Sequence, residues 1–172
     1  MPLLNELLDV IFPEPLPSIA ELEERYPRRK LPLSAHVTRF APSPTGFLHT
    51  GSLFTAMIAK KVANQSGGIF FIRLEDTDTK REIAGTGESL LSELAKFGLT
   101  PDEGYLGNHE EGHYGPYIQS EREKIYHAVI KHLIAIGRAY PCFATPEELN
   151  ELRQAQEKAQ LITGYYGKFA TY

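Results

Sequence analysis

Apolar residues recur along this chain with two different periods, and the changes between them mark out its elements. Leu3, Leu4, Leu7, Leu8 and Ile11 fall at helical spacing and predict a short amphipathic helix, which Pro13, Pro15 and Pro17 bring to an end. Ser18 with Glu21 three residues later is a capping box, so a second helix is expected from there to Pro27. HVTRFA, residues 36–41, is short, β-branched and apolar, and reads as a buried strand. Pro42 and Pro44 have no N–H to donate and should close its ladder, and Thr45-Gly46 supplies a turn. From His49 the period becomes helical, with apolar residues at 53, 54, 57, 58 and 62, until Ser66-Gly67-Gly68 breaks it. IFFIRL, 69–74, is a nearly continuous apolar run, as expected of a strand covered on both faces. Strand, helix and strand at this spacing make a βαβ unit, predicted to be parallel and right-handed.

Beyond this unit, Ile83, Leu90, Leu91, Leu94 and Phe97 predict a helix over 82–97, its first turns weakened by Gly85 and Gly87. GLTPDEG, 98–104, reads as a turn-rich connection, 119–136 as another amphipathic helix, and AYPCF, 139–143, as a strand. Thr145 and Glu148 form a second capping box at the head of a last helix. The fold class is therefore α/β. In such sheets ligands bind at the carboxyl ends of the strands. The segments 41–43 and 73–78 both fall there.

Composition narrows the class without naming an activity. The chain has 172 residues, 42% hydrophobic and 23% charged, enough for one domain with a sizeable core and part of another. A net charge of −4 advertises no global basic field for RNA, although a local basic face such as Arg28-Arg29-Lys30 remains open. A lone cysteine, Cys142, rules out an internal disulfide and fits a reducing compartment. No run approaches the roughly 20 apolar residues of a membrane span. The apolar start carries Glu6 and Asp9 and lacks a basic n-region, so it is not a signal peptide. The expectation is a cytoplasmic protein with no membrane partner.

The loop between the first strand and the helix at His49 has the geometry of a phosphate site, where free N–H groups and the positive helix end converge. It has neither G-x-G-x-x-G nor the P-loop lysine. Its residues are Arg39-Phe40-Ala41-Pro42-Ser43-Pro44-Thr45-Gly46, then Leu48, His49 and Gly51. The second strand runs into Arg73-Leu74-Glu75-Asp76-Thr77-Asp78, and YGPYIQSER follows at 114–122. On these three segments the chain resembles class I aminoacyl-tRNA synthetases, in the form used by glutamyl-tRNA synthetases.

The resemblance implies the first half of a Rossmann-like parallel sheet over 36–137 and the start of an acceptor-stem-binding insertion over 138–172. Residues 1–35 depart from the family pattern; they read as a helical extension whose leucine face packs on the domain, with a tRNA or partner contact as the alternative. The family's K-M-S-K-S segment does not occur here, so an incomplete fragment, inactive by itself, is expected. The implied reaction joins glutamate to the α-phosphate of ATP and then transfers the glutamyl group to the 3′ adenosine of tRNA-Glu, with Mg2+ accompanying ATP. It implies His49 as the catalytic hydrogen-bond donor to phosphate. Thr45, Gly46, His49, Gly51 and Ser52 would contact ATP, and Arg39, Ala41, Ser43 and Glu75 would contact glutamate. Thr50 and Ser52 depart from the broader pattern but keep small residues at the helix start. Read alone, Glu75 could instead serve as an ion-pair partner for Arg73 or Arg39.

Some family members bind zinc through Cys-x-Cys. Here Cys142 is followed two residues on by Ala144, so no structural zinc is expected, and His109 and His113 read as residues of a solvated loop. Two other functions compete. A shortened paralogue attaches glutamate to queuosine in tRNA-Asp and often reads H-x-G-S-L, as His49-Thr50-Gly51-Ser52-Leu53 does here. A non-catalytic module retaining the fold for RNA or protein binding is the third.

Overall fold

A parallel pair of strands with a helix between them in the chain forms the centre of the larger of two compact units. The computed structural model describes residues 2–44, 48–78 and 86–166. Thr45 and Gly46, and the expected helix start at Glu82, lie outside the described residues. The elements are α1 (Pro2–Ile11), α2 (Ile19–Arg25), β1 (Val37–Phe40), α3 (Thr50–Ser66), β2 (Ile69–Ile72), α4 (Thr86–Lys96), β3 (Glu103–Tyr105), β4 (Glu110–Glu111), α5 (Glu123–Ala135) and α6 (Pro146–Lys158). A 3-10 turn, Ser120–Arg122, precedes α5, so the helix expected over 119–136 is entered through a tighter turn.

The sheet order is β1-β2-β3-β4, with β1, β2 and β3 parallel and β4 antiparallel to β3. Val37 pairs with Ile69 and Phe40 with Ile72, as the strand–helix–strand pattern requires. Pro42 does not end the pairing. Its carbonyl accepts from the Glu75 N–H at 2.8 Å, because proline lacks a donor and not an acceptor.

Phe40, Phe70, Ile72 and Leu74 are buried together with Ala56, Ala63, Leu90 and Leu94. Full burial of a side chain such as Phe70 or Ile72 contributes about 1.5–3 kcal/mol. The face of α3 buried here is its alanine face, with Ala56 and Ala63 fully covered. The larger apolar residues of the sequence pattern, Phe54, Met57, Ile58 and Val62, are exposed. Small residues let the helix axis approach the sheet closely, and the Thr38 hydroxyl donates to the Ala59 carbonyl at 2.8 Å across that contact.

Two expectations are corrected. The connection at 98–104 contains the start of a strand. Asp102 fastens it to β2, its backbone N–H donating to the Phe70 carbonyl at 2.8 Å and its carboxylate accepting from the Phe70 N–H at 2.7 Å. Gly104, at φ 121°, lies so close to β2 that a Cβ there would stand 2.3 Å from the Ile72 carbonyl oxygen. Conversely, 139–143 is not a strand. The N–H groups of Arg138 and Ala139 donate back to the Leu133 carbonyl at the end of α5, and Phe143 is exposed. Among the described residues no strand pairs with this segment.

The chain divides into two compact units, Glu14–Ala128 and Met1–Pro13 with Val129–Tyr172. The larger unit holds the sheet. In the smaller one, Lys131 pairs with Asp9 at 2.8 Å. The buried Gln156 side chain bonds both the N–H and the carbonyl of Gly164, turning the chain back over α6. Among the described residues no helix is long and apolar enough to cross a membrane.

Candidate functional site

Alternation along the two strands builds the first part of the site. With Phe40, Ile72 and Leu74 turned toward α3 and α4, Arg39, Arg73 and Glu75 share the opposite face. The pairing continues past the strands, Arg73 N–H to the Phe40 carbonyl at 3.1 Å and Glu75 N–H to Pro42. It thereby holds 41–43 beside Glu75. One carboxylate oxygen, Glu75 Oε1, accepts from Arg39 Nη1 at 2.6 Å, from Arg73 Nε at 3.0 Å and from Arg73 Nη2 at 2.9 Å. Two guanidinium groups on one carboxylate leave this trio with one net positive charge. Arg39 is the most exposed of the three, its side chain 39% accessible. Ala41 is half-buried and Ser43 is exposed between the buried Pro42 and Pro44.

The helix start forms the second part. His49 is the N-cap of α3. Its Nδ1 accepts from the Ser52 N–H at 3.3 Å and its Nε2 lies 3.1 Å from the Ser52 hydroxyl. Gly51 suits this arrangement, because a Cβ would stand 3.0 Å from the imidazole Nδ1 and Cε1 and the ring would have to shift. Thus Gly51 makes room for the His49 ring as well as for any ligand. The Leu53 N–H bonds the His49 carbonyl at 3.1 Å. The positive end of the 17-residue α3 and the exposed imidazole are together an anion-seeking surface.

A third segment locks the first. The Leu74 N–H donates to the Tyr117 carbonyl and the Gln119 N–H to the Leu74 carbonyl, each at 2.9 Å. Asp76 accepts from the Ser120 N–H at 2.9 Å and from its hydroxyl at 2.5 Å. YGPYIQSER and RLEDTD are therefore one structural unit, and Asp76 is its clasp. The sequence pattern offered Asp76 only as part of an acidic cluster. The ion pair of Arg73 with Glu75, one reading of the sequence, forms, because a spacing of two in an extended segment puts both side chains on one face.

The basic cluster at 28–30 is partly consumed. Both terminal nitrogens of Arg29 bond the Glu103 carboxylate, and its guanidinium stacks 3.7 Å from the centre of the Tyr114 ring. His109 and His113 are exposed, and no group of three or more His, Cys, Asp or Glu side chains gathers among the described residues. In the smaller unit the exposed Cys142 thiol meets the Tyr165 hydroxyl at 3.5 Å. That bond, with one from the Ala144 backbone, holds the thiol below its ordinary pKa.

A parallel β-α-β core whose helix start and strand ends meet at one edge defines an α/β domain of the Rossmann-like kind. The chain belongs to the family of tRNA synthetases class I (E and Q), catalytic domain, whose pattern matches residues 36–168. It is 48% identical over 169 residues to a glutamate–tRNA ligase of Acetivibrio thermocellus and 47% identical to one of Clostridium perfringens, each over 98% of this chain. It spans 31% of the length of each of these relatives. Among solved structures it is similar to a glutamate tRNA ligase from Elizabethkingia meningosepticum in complex with its amino acid. The TM-score is 0.64 and the identity 41%, over 75% of this chain and 25% of that one. A glutamate-tRNA synthetase from Elizabethkingia anophelis superposes with a TM-score of 0.65 at 40% identity, over 74% of this chain and 25% of that one.

Proposed function

We propose that this chain forms one wall of a site that activates glutamate with ATP and passes it to tRNA-Glu. The observation that carries the reading is the Arg39–Glu75 pair at the carboxyl edge of β1 and β2, within a segment whose relatives are named glutamate–tRNA ligases. Arg39 retains N–H groups to grip a substrate carboxylate, and Glu75 offers a negative partner for the ammonium. Ala41 and Ser43 line the path between them and the loop. The helix start at His49, Gly51 and Ser52 receives the phosphates of ATP, which arrive with Mg2+, and Thr45 and Gly46 complete that contact.

The chemistry is positioning and charge stabilisation. The glutamate carboxylate attacks the α-phosphate, pyrophosphate leaves, and the 3′ hydroxyl of tRNA takes the acyl group. No protein nucleophile is required. His49, released from Ser52, donates to the phosphate as negative charge grows on it. Residues 36–137 act as the first half of the nucleotide-binding domain and 138–172 as the start of the acceptor-stem-binding insertion, in a cytoplasmic enzyme.

The test is aminoacylation by the protein at its natural length, with ATP and radiolabelled glutamate, offered purified tRNA-Glu or queuosine-bearing tRNA-Asp. The reading predicts label on tRNA-Glu. Label only on tRNA-Asp would assign the chain to the queuosine-modifying paralogue, and none on either would support a binding module.

A further inference from the structure

We propose that Arg73 is a positioning residue for glutamate recognition: it anchors Glu75 by one oxygen so that the other faces the substrate ammonium. The inference rests on the reading of Arg39 and Glu75 as the amino-acid site and goes beyond it. Its basis is an asymmetry. Among the described residues every hydrogen bond made to the Glu75 side chain ends on Oε1, two from Arg73 through Nε and Nη2 and one from Arg39 through Nη1. Among the described residues none reaches Oε2. A carboxylate facing one arginine ordinarily settles into a two-point fork, with both oxygens on both nitrogens. Here Arg73 approaches from the side and takes Oε1 with two nitrogens, so Arg39 is left a single contact. The consequence is double. Among the described residues Oε2 remains an open acceptor for an ammonium, and the remaining N–H groups of Arg39 remain open donors for a carboxylate. A free amino acid carries those two groups on one carbon.

Charge supports the same assignment. Arg39 and Glu75 alone would be a neutral closed pair. With Arg73 the trio keeps one positive charge, so a substrate carboxylate is attracted while the ammonium still meets an anionic oxygen. Arg73 is itself held. Its side chain is 20% accessible and, with Val37 and Phe71, lines a cleft of about 340 Å³ walled by Tyr26, Tyr114 and Tyr117. The tyrosines are fixed in turn, Tyr26 to the Gly115 carbonyl at 2.7 Å and Tyr114 to the Pro27 carbonyl at 2.9 Å. The segment before β1 thereby becomes the wall behind the positioning residue.

The experiment uses the protein at its natural length and measures ATP–pyrophosphate exchange for Arg73→Met and Arg73→Lys. Glutarate, which has both carboxylates and no ammonium, serves as a competitive inhibitor. Arg73→Met should raise KM for glutamate roughly tenfold or more, the scale of one charge-assisted hydrogen bond. KM for ATP and Ki for glutarate should stay within about twofold. Arg73→Lys, with one point contact in place of two, should fall between Met and wild type. Equal rises in KM for glutamate and Ki for glutarate would overturn the proposal, as would an unchanged KM in both variants. Arg39→Lys is measured alongside. If it leaves glutamate and glutarate untouched, the amino-acid site itself has been misread, whereas loss of both with Arg73 silent removes only the role given to Arg73.

Discussion

His49 is the residue on which the chemical reading turns, and that reading gives it two jobs that substitution can separate. As an N-cap it accepts from the Ser52 N–H, a role whose loss costs about 1 kcal/mol of stability. As a donor to a charged phosphate it should contribute about 2.7–4 kcal/mol, or roughly 10²–10³-fold in rate, on the model of an oxyanion-hole donor. His49→Asn keeps a capping side chain and removes the imidazole. In the natural-length protein it should unfold at a denaturant midpoint close to wild type while glutamate-dependent ATP–pyrophosphate exchange falls by at least about a hundredfold. Exchange within twofold of wild type would leave His49 as a cap alone. Much of this site was legible in the sequence, because short motifs of unusual residues mark it. What the motifs could not convey was the ring of His49 lying against Gly51, or Arg73 sharing an oxygen with Arg39. Both are facts of side-chain approach between segments far apart in the chain.

At the scale of elements, local signals were read well and non-local ones poorly. Both capping boxes form, Ser18 with Glu21 and Thr145 with Glu148, because every partner lies within one turn. β3 was hidden because its three residues, Glu-Gly-Tyr, carry no strand pattern. Its pairing comes from β2 and from Asp102. Glu103 of that strand is buried against Arg29, and Tyr117 packs beside them. Replacing Glu103 with Leu strands the Arg29 charge and should destabilise the protein by about 3 kcal/mol, the low end for one partner of a buried pair. Urea unfolding measures it, and a loss below about 1 kcal/mol would reduce the pair to a surface contact.

Tyr117 adds a dependence on pH. Burial, outweighing its bond from the Tyr114 N–H, pushes its hydroxyl up from 10.0 to about 12. Between those values the unfolded chain has lost a proton that the folded chain retains, so stability falls as pH rises from 10 toward 12. Tyr117→Phe should flatten that decline in unfolding free energy, and an unchanged slope would contradict the assignment.

At the scale of the molecule, the sheet and its helices present surfaces that the described residues do not cover. Among the described residues β1 pairs with β2 alone, and the outward face of α3 carries Phe54, Met57, Ile58 and Val62. The sequence pattern showed these four only as apolar residues at helical spacing, and their exposure follows from α3 packing on its alanine face. An unpaired strand edge beside an apolar helix face is what a sheet shows where further strands belong. The chain also spans only 31% of the relatives it matches. Charge on a transferring phosphate needs stabilising from more than one side, and the residues assigned here supply one. The most direct test compares glutamate-dependent ATP–pyrophosphate exchange by the 172-residue chain with that by the protein at its natural length. The account predicts glutamate-dependent exchange by the natural-length protein and background rates from the 172 residues alone. Comparable turnover by the two, or no dependence on glutamate in the longer one, would contradict it.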